Sequence, residues 1–377
     1  MNNEYAFFDG SLPPGEILRK MLDARAWTQD TLAAITKTSR NTINSIVAGR
    51  SGITPDIAAV LAAAFGNDAT DWLKADAAHR LSQVTADDEI ARRAHFFKIA
   101  PIHDMRRRGW IKAGDSTEEI EAELRKFFEQ DILGHVMEFP VASRRVETLP
   151  YLNSAEKAWC FRARQLAASL MVKKFSSRRL EECERKLRHL AAYPKEARHL
   201  PKVLSEYGIR FLIVEPIPGA KIDGAAFWIK EEPVIALSIR YDRIDGFWFT
   251  LMHEFAHVCH GDGLSVDTDL IDNTKGIVGR LAESVAERRA DARAAHSLIP
   301  HDEMESFIRR VGPLYSRERV IQFAHRVKIH PGIIVGQLQH KGEVGYSALR
   351  DLLVKVRTNV TTAALTDGWD QTISKLA

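Results

Sequence analysis

Apolar positions recur with a helical period over the first 80 residues, in short runs punctuated by turn residues. Pro13-Pro14-Gly15 opens one run, and Gly49, Gly52 and Pro55 break others. The pattern predicts a small all-helical domain over residues 1–80. From about Leu81 to His199 the period stays helical but charge rises, as in Glu118 through Phe128, where apolar residues keep helical spacing between acidic and basic ones. We read residues 81–200 as a helical connector, with a hinge from Phe139-Pro140 to Pro150, where two prolines and a basic pair interrupt the periodicity. The basic clusters Arg106-Arg107-Arg108 and Arg178-Arg179 read as solvated helix faces, with contact to DNA backbone the alternative.

Beyond residue 200 the period changes. Ile209 to Val214 and Pro233 to Ile239 are short, β-branched and bounded by Gly or Pro, so they predict strands, with Ala225 to Ile229 a third. An apolar helix from Phe247 to His260 follows, then a Gly- and Asp-rich loop (Gly261 to Gly276) and a helix from about Val278 to Leu298, stopped by Pro300. The rest reads as short helices and turns. The expected fold class is mainly α with a small mixed β-sheet (α+β), in three parts: 1–80, 81–200 and 201–377.

Composition narrows the function classes. A chain of 377 residues, 45% hydrophobic, can bury two or three cores. No stretch approaches the roughly 18 uncharged apolar residues that span a bilayer, and Met1-Asn2-Asn3-Glu4 lacks a secretory pattern, so a cytoplasmic protein without a membrane partner is expected. Cys160, Cys183 and Cys259 are far apart and form no Cys-x-x-Cys, which argues against a disulfide framework or a thiolate zinc site and for reduced, mostly buried thiols. A net charge of +3 permits nucleic acid as a partner without arguing for it.

The candidate chemistry lies in His253-Glu254-Phe255-Ala256-His257. Histidines four apart on a helix stand one turn above each other and can aim two imidazole nitrogens at one ion, for which zinc is the suited cofactor. Glu254 then reaches a metal-held water rather than the metal, and can take its proton and pass it to a leaving amine. The third ligand is expected from the 278–298 helix. Glu287 is the choice, because Asp291, four residues on, shares its face and can accept the second N–H of a ligating histidine. Glu283, one turn earlier, competes for the role. Cys259 and His260 are close by in sequence but at another helical phase.

Asp242 through His257, Glu287 through Ala294 with Leu298-Ile299-Pro300, and the strands at Gly224 to Trp228 and Pro233 to Leu237 together resemble the ImmA/IrrE family of metallopeptidases, over roughly residues 201–339. The resemblance implies a zincin-like, more narrowly gluzincin-like, arrangement: zinc on His253, His257 and Glu287, Glu254 as general base, and a protein substrate, often a DNA-binding repressor. His330, in Ile329-His330-Pro331-Gly332, is a candidate to stabilise the tetrahedral intermediate, with Tyr346 a weaker one.

The N-terminal pattern is a second signal. Thr28 caps a helix over Gln29 to Ala34, and Thr38 to Ile46 supplies another after a three- or four-residue turn, which is helix-turn-helix spacing. The second helix of such a pair enters the major groove, so Ser39, Arg40, Asn41 and Asn44 are expected to face bases, and Gln29 and Arg50 phosphates. These segments, with Pro14 to Leu18, Ile53-Thr54-Pro55 and Ala64 to Leu73, resemble the Xre-like antitoxin regulators of the HigA type. That resemblance implies operator DNA, a homodimer and a toxin as partners. Residues 1–80 hold eight basic and nine acidic residues, so a few specific contacts must carry affinity.

The combined reading is a DNA-binding transcriptional regulator coupled to a zinc peptidase that cleaves a partner repressor, a toxin or the chain's own connector. The alternative is a HigA-like antitoxin or repressor whose zinc domain is sensory or structural and cuts nothing.

Overall fold

A computed structural model describes residues 8, 12–83, 88–133, 138–142, 145–148, 152–268 and 285–369. In the N-terminal part, helices begin where the sequence supplies caps: α1 (Pro14–Ala24), α2 (Gln29–Thr36), α3 (Arg40–Val47), α4 (Pro55–Phe65) and α5 (Ala69–Gln83). The hydroxyls of Thr28, Ser39 and Thr54 each accept the backbone N–H three residues on, and Pro14 and Pro55 occupy first-turn positions that need no donor. Ile17, Leu18, Leu32, Ile43, Leu61 and Trp72 are fully buried between the helices. Gly15 lets α1 and α3 approach, since a Cβ there would lie 2.4 Å from the Ile46 carbonyl.

The chain divides into two compact units, Met1–Ile90 and Ala91–Ala377. The second contains α6 (Asp88–Ile99) over most of its length, α7 (Ile102–Arg107), α8 (Thr117–Phe128), β1 (Glu138–Ala142), β2 (Arg145–Thr148) and α9 (Ser154–Ala168). It continues with α10 (Leu180–Leu190), α11 (Leu200–Glu206), β3 (Arg210–Val214), β4 (Ile222–Ile229), β5 (Glu232–Leu237), α12 (Ile244–His260) and β6 (Ser265–Thr268). The last elements are α13 (Val285–Leu298), α14 (His301–Val311), α15 (Arg317–Val327), α16 (Pro331–His340), α17 (Arg357–Thr361) and β7 (Leu365–Asp367).

A mixed five-stranded sheet in the order β6-β4-β5-β3-β7 organises this unit; β3 runs parallel to β5 and β7, and β4 antiparallel to β5 and β6. Side chains alternate across it as the pleat requires. Phe211, Ile213, Ala226, Ile235 and Leu237 join one core with α10 to α16. Leu212, Val214, Ala225, Phe227, Val234 and Ala236 join the other with α6 to α9. Helices therefore cover both faces of the sheet.

This arrangement differs from the sequence expectation at three points. The connector expected over 81–200 is not set apart: among its described residues from 91 onward, Phe96, Leu124, Phe128, Trp159 and Phe161 are buried in the same core as the sheet strands. Their charged faces, prominent in the sequence, are the outer sides of amphipathic helices whose apolar stripes need the sheet as partner. The expected hinge at 139–150 instead holds an antiparallel pair, β1 with β2, and Phe139 is fully buried, edge-on to Phe161 and Phe227. Arg108 is no solvated face: it pairs with Glu215 and Asp367, and Arg162 and Trp110 also bond Asp367, tying β7 down. Among the described residues, no helix is long and apolar enough to cross a membrane.

Candidate metal centre and nucleic-acid interface

Helix α12 runs through the core, with Ile244 to Val258 buried apart from Phe249, which is half-buried. Arg243 fixes its N-terminal turn through two bonds to Asp245 (3.1 and 2.6 Å) and one to Gln339. At the other end Gly261 takes a left-handed conformation (φ 68°), a cost-free choice for glycine, and turns the chain back so that the Asp262 N–H reaches the His257 carbonyl at 3.1 Å.

His253 and His257 are both about 1% exposed, and their Nε2 atoms face each other at 3.0 Å. Glu287 of α13 brings its Oε2 to 3.2 Å from His253 Nε2 and 3.6 Å from His257 Nε2. His253 Nδ1 lies 2.8 Å from Asp291, and His257 Nδ1 lies 2.9 Å from Asp262. A neutral imidazole has one N–H and one lone pair, and a carboxylate partner draws the N–H to its side. With each N–H assigned to its nearer carboxylate, Asp291 for His253 and Asp262 for His257, two imidazole lone pairs and the Glu287 carboxylate face one another. Such a set is repulsive unless a cation lies between them, so the donors present fit a metal ion. Within the described residues these three are the one group of His, Cys, Asp and Glu side chains close enough to share an ion.

Glu254 is fully buried on the side of α12 that faces the sheet, against Gly224 of β4. A β-bulge between Ile222 and Gly224 shifts the strand register there. Neither Gly224's role nor Asp262 emerged from the sequence. The signal for Asp262 was its position next to Gly261, where a left-handed turn folds the chain back onto the last helical turn.

The structure brings His253, His257, Glu287 and Asp291 together, while Glu283 lies outside the described residues. Residues 278–284, expected as the start of the Glu287 helix, do so as well. His330 is placed elsewhere: its Nδ1 accepts the Gly332 N–H at 3.0 Å as the cap of α16, and a Cβ at Gly332 would lie 2.8 Å from Ile244. Ile244 begins α12, nine residues before His253, which is roughly 13 Å along a helix. This argues against the transition-state role. Burial holds the His330 imidazole below its usual pKa, in keeping with a ring that must stay neutral to cap. Tyr346 is half-exposed in a turn. Cys259 and His260 stay outside the donor set, as their helical phase implied.

In the N-terminal unit, α2 and α3 are separated by three residues, with Lys37 left-handed (φ 54°). Arg40, Asn41, Asn44 and Arg50 are exposed, and Gln29 is half-buried at the start of α2. Ser39 is exposed too, but its hydroxyl already accepts the Thr42 N–H at 3.1 Å. Arg40 Nε lies 3.2 Å from Asp30, an ion pair that links the two helices.

Comparison with known families agrees with this division. Residues 18–72 match the helix-turn-helix family, and residues 205–335 match a peptidase family described as the IrrE N-terminal-like domain. No curated protein and no solved structure matches the chain.

Proposed function

With a helix-turn-helix domain and an IrrE N-terminal-like domain on one chain, we propose that the protein is a DNA-binding regulator whose second unit is a zinc-dependent peptidase acting on a protein. The observation that carries this reading is the convergence of His253 Nε2, His257 Nε2 and Glu287 Oε2, with each imidazole Nδ1 within hydrogen-bond distance of an aspartate. Two histidines and one carboxylate, flanked by a further buried glutamate, make the donor pattern of catalytic rather than structural zinc.

A divalent cation held by His253, His257 and Glu287 would supply Lewis acidity toward a peptide carbonyl and an attacking water. The chain's own part is proton handling. Glu254, fixed against Gly224, is the base that takes a proton from the attacking water and returns it to the leaving amine. Asp291 and Asp262 hold the histidines in the tautomer that presents Nε2.

The protein substrate is a partner repressor or a toxin rather than the chain's own 140–150 segment. The β1–β2 pair that forms the described part of that segment packs through Phe139 on Phe227, on the face of the sheet turned away from α12. On the DNA side, Arg40, Asn41 and Asn44 are the base-reading candidates, Ser39 acts first as a cap, and Gln29 and Arg50 meet phosphates, in a homodimer on a palindromic operator.

Elemental analysis of purified wild-type protein and Glu287→Ala tests the centre. One zinc per folded wild-type chain and a clear loss in the variant are expected. Equal metal in both sinks the ligand assignment. Glu254→Gln then separates peptidase from regulator: it should keep metal and DNA binding but lose cleavage of the partner, and unchanged regulation in cells favours a non-cleaving antitoxin.

A further inference from the structure

Asp262 joins three elements. Its Oδ2 lies 2.9 Å from His257 Nδ1, its carbonyl accepts the Trp228 Nε1–H of β4 at 2.8 Å, and Arg289 Nη2 of α13 donates to its two carboxylate oxygens at 3.0 and 3.2 Å. Arg289 stands two residues after Glu287, on the helix that brings the third donor to the histidines. Among the described residues at that end of α13, Val285 is 74% exposed, Glu287 is half-buried, and the first buried residue is Ala290. Polar bonds help to fix where Glu287 sits. One runs from α13 to His253, through Asp291, and the Arg289–Asp262 pair ties the same helix to the outer partner of His257.

We infer that Arg289 is a positioning residue for the metal site, acting through Asp262. The inference rests on the metal-binding reading above. Arg289 holds the Asp262 carboxylate at the angle that keeps the His257 N–H outward and Nε2 inward, and it holds the first turn of α13 against the end of α12. An arginine fits because one guanidinium nitrogen can donate to both carboxylate oxygens while its long stem reaches from a half-exposed helix face.

The test is Zn²⁺ affinity of the full chain, measured by competition with a chromophoric chelator, for wild type, Arg289→Ala, Asp262→Ala and the double variant. Asp262→Ala should weaken binding roughly 10- to 100-fold, as loss of a ligand's outer partner does. Arg289→Ala should weaken it roughly two- to five-fold, the range of a half-exposed ion pair, and Arg289→Lys should recover part of the loss. The double variant should bind no more weakly than Asp262→Ala, because the arginine acts only through that carboxylate. The visible spectrum of the Co²⁺ form should shift in Arg289→Ala while the melting temperature stays put. An unchanged affinity in Arg289→Ala, or the same loss with Asp262 already removed, overturns the inference. A wild-type chain that binds no Zn²⁺ overturns the metal reading itself.

Discussion

Gly224 on β4 faces Glu254 on α12 so closely that a Cβ at position 224 would lie 2.4 Å from the glutamate Oε1 and 2.8 Å from Thr250 Cγ2. The strand thus leaves room for the Glu254 carboxylate only because position 224 has no side chain.

Gly224→Ala should therefore displace Glu254 without touching the metal donors. We expect zinc content close to wild type and hydrolysis reduced roughly 100-fold or more, approaching that of Glu254→Gln, since positioned general bases contribute about 10²–10⁴. Zinc analysis beside a cleavage assay on the partner protein checks this. Wild-type turnover in Gly224→Ala would show that the close approach of Gly224 does not set the working position of Glu254.

Asp291→Ala removes the acceptor for the His253 N–H and frees that ring to flip tautomer. Zinc affinity should fall by roughly 10- to 100-fold while the fold persists. Chelator competition and circular dichroism measured on the same samples separate the two effects.

The His330 cap predicts a pH dependence. Burial lowers its pKa below the 6.5 of a free imidazole, so the ring binds a proton more readily in the unfolded chain. Its contribution to stability is complete above about pH 6.5 and is lost as the pH falls below that, because the unfolded state then gains protons that the folded cap refuses. His330→Asn keeps a capping acceptor without the titration. Melting temperatures between pH 7.5 and 5.5 should decline less steeply in the variant, and parallel declines would remove His330 as the source.

Cys160 and Cys183 are fully buried, and burial pushes the Cys183 thiol up to about 12 and that of Cys160 higher still. Neither should form the reactive thiolate at pH 8. Alkylation followed by mass spectrometry should label these two only after denaturation; rapid labelling in the native protein would contradict the packing of α9 and α10.

For the N-terminal unit, Ile43 is fully buried on α3 while Asn44 beside it is exposed. Ile43→Ala should cost about 2–5 kcal/mol of that unit's stability. Asn44→Ala and Arg40→Ala should leave its melting unchanged and abolish selection of a preferred site from a random DNA pool. Intact site selection by both variants would turn the helix-turn-helix toward protein contacts instead.

The sequence by itself determined whatever obeys a local period. The spacing of His253 and His257, the Glu287-x-x-x-Asp291 step, and the cap Thr28 are statements about neighbours on one helix, and a helix places such neighbours in the same way in any surroundings. The tertiary structure alone decided which surfaces meet. Charged helices between residues 91 and 168 looked like a spacer until the sheet's second face gave their apolar stripes a partner, and Phe139 looked like part of a hinge until Phe161 and Phe227 enclosed it. Gly224, Asp262 and Arg289 carry no periodic signal, because their roles exist only through side chains 27 to 34 residues away or through a turn that doubles the chain back on His257. His330 was a candidate by its chemistry alone, and the bond that sequence spacing could not rank is the one its Nδ1 accepts as the cap of α16.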